Sequence, residues 1–224
     1  HPNRHLVLQE LIHEVNKHDD ERPDLSHRLV DVVCALKCQY PDRVHVILGN
    51  HELSELTGRV IGKDGRTLNA RFREGIERTY GGAAGEVYAA YQKLFSDMPL
   101  AVRTPNRVFC CHTLPDGDWL DDLDLSVLDA DAWPEEAMKR RGAVYAMTWG
   151  RDTSEETADR FAAMVDADLF VTGHQPCDEG FRQANHRTLI VDGTEPYPTY
   201  CRFPARTPIG IDDLVGSVTV MGGD

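Results

Sequence analysis

Three short apolar runs in this chain each end at a histidine, and that repeated ending constrains the fold more than any other feature. Val44-His45-Val46-Ile47-Leu48 runs into Gly49-Asn50-His51-Glu52. Arg107-Val108-Phe109-Cys110-Cys111 runs into His112, and Asp168-Leu169-Phe170-Val171-Thr172 runs into Gly173-His174-Gln175-Pro176. Short β-branched and aromatic runs bounded by turn formers read as buried strands. Gly49 lets the backbone bend so that the polar side chains after it gather at the carboxyl edge of a sheet, where open α/β sheets bind their ligands. A single strand-end histidine reads first as a core or surface residue. Three of them, one with an amide beside it, are the ingredients of a metal centre. Imidazole nitrogen and amide oxygen suit manganese, iron, zinc or nickel better than calcium.

The segments between these strands carry helical spacing. Leu8, Leu11, Ile12 and Val15 share a face and predict a helix from His5 to His18. A second helix is predicted from Asp24, with Leu25, Leu29, Val32, Val33 and Leu36 as its buried stripe and Pro41 as its end. Leu53 to Gly65 reads as a short helix and a loop. Further helices are predicted over Leu68–Tyr80, Glu86–Ser96, Pro134–Arg141 and Thr153–Val165, the last with Thr153 or Ser154 as N-cap. Leu100–Arg103 and Arg107–Cys111 read as paired strands, with others at Thr188–Val191 and Gly216–Met221. His13, His18 and His27 read as solvated.

Composition narrows the class. The 224 residues, 41% hydrophobic, suffice for one domain over 1–224 with a substantial core. A formal net charge of −13 argues against nucleic acid and against an anionic membrane surface, both of which call for Lys and Arg. There is no apolar run long enough to span a bilayer. The six cysteines include no Cys-x-x-Cys pair and read as buried, reduced thiols of a cytoplasmic protein. Asp116 to Asp131 is rich in Asp but lacks the ligand register of a calcium loop, so it reads as a solvated acidic rim.

In order along the chain, Gly49-Asn50-His51-Glu52, the strand-His block at His112 and Gly173-His174 resemble the last three blocks of the calcineurin-like metallophosphoesterases. The likeness is strongest to the phosphoprotein (Ser/Thr) phosphatase branch. Leu36-Lys37 to Val44, Leu94-Phe95-Ser96-Asp97-Met98-Pro99-Leu100, and Gly173-His174-Gln175-Pro176 followed by Glu179-Gly180-Phe181 carry it, and it covers most of residues 25 to 205. The resemblance implies an α/β fold, a four-layer sandwich of two mixed β-sheets flanked by helices. It implies a metal-dependent phosphoric monoester hydrolase with two divalent ions, manganese first, iron, zinc or nickel as alternatives. Asn50, His112 and His174 would be metal ligands and His51 the general acid. Arg151, or its rival Arg160, would clamp phosphate, and Tyr200 would stand beside it. The substrate would be a phosphoprotein or a small phosphoester such as a dinucleoside polyphosphate, with no nucleic-acid or membrane partner. A non-catalytic binding module on the same fold is the alternative outside enzymology.

The sequence also departs from that family. Thr113-Leu114-Pro115 follows His112 where the protein phosphatases carry two Gly, and Tyr197-Pro198-Thr199 precedes Tyr200-Cys201. The family's Asp-x-His and Gly-Asp-x-x-Asp blocks are not found. The expectation is therefore an upstream segment that carries the first strand and two more carboxylate ligands, with His1 near the place of the Asp that orients the acid.

Overall fold

The computed structural model describes residues 3–14, 23–63, 66–194 and 196–222. The chain divides into two compact units, His1–Pro99 and Leu100–Asp224. Each unit is mixed α/β.

In the first unit, the start of the chain is a strand rather than the helix predicted over His5–His18. β1 (Leu6–Gln9) pairs in parallel with β2 (Val44–Ile47), from Leu6 opposite Val44 to Gln9 opposite Ile47. Leu6-Val7-Leu8 is a short apolar run that fits either period, and pairing with a β-branched neighbour decides it. Residues 15–18 of the predicted helix, and His1, lie outside the described residues. Helix α1 (His27–Gln39) makes the crossover that parallel strands require. It buries His27, Val30 and Val33, while Leu29 and Val32 of the predicted stripe are 49% and 57% exposed. Its apolar residues cover more than one face, so their spacing does not fix which edge turns inward. His13 and His27 are buried, not solvated.

Helix α2 (Asn50–Thr57) starts at once after the Gly49 turn and closes on Gly58, which adopts a left-handed φ of 68°. A small hairpin, β3 (Gly62–Lys63) with β4 (Arg66–Thr67), leads into α3 (Leu68–Tyr80). The Thr67 side chain caps α3 by accepting from Ala70 N. Helix α4 (Ala84–Ser96) returns alongside, and Phe72, Tyr91 and Phe95 fill the space between.

The second unit is built on one five-stranded sheet. β5 (Ala101–Arg103) is antiparallel to β6 (Val108–Cys111), as predicted. The chain then forms α5 (Glu135–Met138), α6 (Ala143–Trp149) and α7 (Glu155–Val165) before β7 (Leu169–Thr172), β8 (Phe181–Gln183) and β9 (Thr188–Val191). The sheet order is β5-β6-β7-β9-β8, with β6, β7 and β9 parallel. The segment before Arg151 that carries Trp149 is helix α6. Ser154 caps α7 by accepting from Thr157 N at 3.3 Å. Phe161 of α7 stacks on Phe170 of β7 at 5.6 Å and meets Phe109 of β6 edge-on at 6.0 Å, which seats the helix on the sheet. β10 (Thr199–Cys201), α8 (Ile211–Gly216) and β11 (Val218–Val220) end the unit, with β10 and β11 antiparallel.

Candidate active site

In the second unit, two of the expected residues meet. β6 and β7 are parallel neighbours, so their carboxyl ends lie at one edge, and His112 and His174 follow directly. A backbone bond from Gly173 N to His112 O continues the pairing past the strands. The rings come to 4.8 Å between centroids, with His112 Nε2 3.0 Å from His174 Nδ1. His112 is fully buried. His174 has a φ of 65°, a left-handed conformation uncommon for histidine and of the kind found at functional sites. Burial, with the Arg151 guanidinium nearby, pushes the His174 imidazole down to about 4. It is therefore neutral at pH 7, the form in which imidazole ligates a metal.

The surroundings of Arg151 are fixed through its backbone. Asp116 accepts from Arg151 N at 2.8 Å and from Asp152 N at 3.1 Å. Gly150 lies so close to Leu114 O that a Cβ there would stand 2.0 Å from it, and Thr113 Oγ1 donates to Gly150 O at 2.7 Å. Thr113-Leu114, which replaces the family's glycines, thus holds the base of the Arg151 segment. Trp149 lies edge-on to His174 at 6.2 Å and stacks on Tyr145. Arg160 is engaged elsewhere, with Asp121 at 2.6 Å and Gly117 O at 3.4 Å. The acidic stretch is therefore only partly a solvated rim: Asp116 belongs to the scaffold, and Asp118 and Asp121 pair with Arg141 and Arg160. Tyr200 is on the β10–β11 hairpin, 44% exposed, not on the sheet that carries the imidazoles.

In the first unit, Asn50 and His51 open α2, and Asn50 is buried. Sequence reading missed their neighbour. Glu10 directly follows β1, and its Oε1 lies 3.1 Å from His51 Nε2. Glu52 ties the two strand ends together by accepting from Leu11 N at 2.6 Å and Gly49 N at 3.2 Å. Burial pushes the Glu52 carboxyl up despite those bonds. Gly49 is required by close approach rather than by its φ of −100°, since a Cβ would stand 2.7 Å from Glu52 Oε2 and 3.3 Å from Glu10 Cβ. His13 packs its ring 5.0 Å from that of His51. Glu10 and His13 both have left-handed φ, 51° and 68°. The signal for them was one of spacing: Gln9-Glu10-Leu11-Ile12-His13 keeps a strand-end carboxylate and a polar residue three places on, the frame of Gly-Asp-x-x-Asp with other residue types.

Among the described residues, no three His, Cys, Asp or Glu side chains close around a single point as a metal cluster. The donor types within each unit are ones that divalent ions take: in the second unit two imidazoles with ring nitrogens 3.0 Å apart, one of them held neutral.

The chain belongs to the calcineurin-like phosphoesterase family, whose model matches residues 14–178. A curated protein of Encephalitozoon cuniculi (strain GB-M1), described as a probable serine/threonine-protein phosphatase, is 29% identical over 171 residues, 67% of this chain and 34% of that protein. The chain thus spans about a third of the length of that relative. Among solved structures, a serine/threonine phosphatase from Saccharomyces cerevisiae with similarity to human phosphatase PP5 superposes with a TM-score of 0.56 at 17% identity, over 75% of this chain and 53% of that one. A cold-active protein-tyrosine phosphatase of a psychrophilic Shewanella gives 0.52 at 16% identity, over 75% and 56%. These structural likenesses concern the fold; the sequence relative carries the Ser/Thr phosphatase description.

Proposed function

We propose that this chain is the catalytic region of a metal-dependent phosphomonoesterase that acts on phosphoserine or phosphothreonine in proteins. The observation that carries the reading is the His112–His174 pair, two buried or half-buried imidazoles brought to 3.0 Å by neighbouring parallel strands. Asn50, His112 and His174 would hold the ions, with Glu10 as a further carboxylate ligand. Divalent ions, manganese first among them, supply when bound a nucleophile near neutral pH and positive charge for the transferring phosphoryl group. Asn50 is a neutral ligand and leaves that positive charge undiminished. His51 donates a proton to the leaving oxygen, with the Glu10 carboxylate 3.1 Å from its Nε2. Arg151 binds two phosphate oxygens through its planar guanidinium, which Lys cannot do. Its place beside His174, with Arg160 paired to Asp121, favours it over Arg160, and Tyr200 is assigned to the substrate side. All six cysteines are free, which fits a reducing cytoplasm.

The test follows p-nitrophenyl phosphate hydrolysis by full-length protein stripped with a chelator, with and without manganese. Manganese-restored turnover supports the reading, and phosphopeptides tested against dinucleoside polyphosphates then decide the substrate. No turnover with any divalent ion, from a folded protein, would sink it.

A further inference from the structure

A second pair of imidazoles stands in the first unit, at the end of β1 and β2 remote from Glu10 and Asn50. Parallel pairing sets it up. Val7 lies opposite His45, and a bond from Leu6 N to Arg43 O carries the ladder to the amino ends of both strands. His5 comes two residues before Val7, so its side chain leaves the same face of the sheet as those of Val7 and His45. The two imidazoles meet on the diagonal. His5 Nδ1 lies 3.1 Å from His45 Nε2, with the ring planes 10° apart and the centroids at 5.4 Å. His5 is exposed and His45 half-buried, so the pair is open to solvent.

Facing nitrogens can share one hydrogen, with one neutral ring donating to the other. They can also hold an ion. Zinc binds imidazole nitrogen at about 2.0–2.1 Å, and in a tetrahedral site two such nitrogens stand about 3.3 Å apart. The observed separation reaches that value with a small turn of the exposed ring. Two nitrogens favour the late first-row ions over manganese, which is better suited by oxygen donors. Lys37 and Asp42, the charged side chains that act on His45, are opposite in sign, and Lys37 Nζ donates to Pro41 O at 2.5 Å.

We propose that His5 and His45 form a second metal site, a two-imidazole clamp for zinc or another late first-row divalent ion, with water in the remaining coordination positions. Along β1, His5 and Glu10 are separated by roughly 15 Å at about 3.3 Å per residue, so the ion is not shared with the carboxyl edge. The clamp ties the amino ends of β1 and β2 together. A two-stranded sheet is marginal by itself, and Glu10 and Asn50 lie beyond the carboxyl ends of these two strands. Holding the strands in register at one end therefore steadies the polar groups at the other.

The test is a zinc titration of full-length, chelator-stripped protein, followed through the ring ¹⁵N resonances of His5 and His45. This readout separates the site from any other ion that the protein binds. Both rings should shift together and saturate with one midpoint. In His5→Gln the midpoint at His45 should rise by about 100-fold or more, since outright loss of a ligand exceeds the cost of about 10- to 100-fold for disturbing a ligand's support. His45→Gln should do the same at His5. Zinc that moves neither ring, or only one, would reduce the contact to a hydrogen bond and overturn the clamp. An unchanged midpoint at His45 in His5→Gln would overturn it as well. No readout involves turnover, so the outcome is independent of the hydrolase assay.

Discussion

Asn50 and His51 are sequence neighbours with different proposed roles, and substitution separates them. His51→Gln should lower kcat on a phosphoserine peptide by about 10²- to 10⁴-fold, the range for loss of a general acid, while metal content by elemental analysis stays at the parent level. Asn50→Ala should instead lower the metal content. A third prediction concerns pH. Burial would raise the Asp152 carboxyl, but bonds from Thr157, Ser154 and Gly117 hold it below its ordinary value of 3.8. A depressed carboxylate stabilises the fold above its unfolded value, and the gain is lost as pH falls through the folded value. The urea midpoint of the parent should exceed that of Asp152→Asn at pH 7, and the two should converge in acid below pH 3.8. Asn50, His51, His112 and His174 were legible in the sequence because each directly follows an unambiguous strand. Glu10 and His13 were not, because Leu8, Leu11 and Ile12 around them also match a helical period, and only pairing with β2 resolves it.

Helix α7 and the sheet beneath it depend on one aromatic cluster. Phe161 is fully buried between Phe109 and Phe170. Phe161→Ala should cost about 3–5 kcal/mol, read as a drop in urea midpoint. β6, β7, β9, α3, α4 and α7 followed from their spacing because each has a single polar face or a run of β-branched residues between clear stops. In helix α6, Tyr145 and Trp149 stand at helical spacing and stack on each other at 5.9 Å. Leu29 and Val32 of α1 show the complementary limit, since a helix apolar on more than one side does not announce which side is covered.

On the proposed function, ion binding by the folded chain should register in global stability. Manganese at about 100 times its dissociation constant should stabilise by roughly 2.7 kcal/mol. The thermal midpoint should rise on addition and fall again with chelator, and the His112→Ala, His174→Ala double variant should lose most of the response. The origin of that pair has an engineering consequence. Two rings hung from adjacent parallel strands inherit a span of about 4.8 Å, a length set by backbone hydrogen bonds. Substituting residues nearby can retune the ligand field but cannot stretch that bite. Register can destroy it, since one residue inserted into β7 would turn His174 to the opposite face. The count of residues in β6 and β7 thus behaves as a fixed digit of the design.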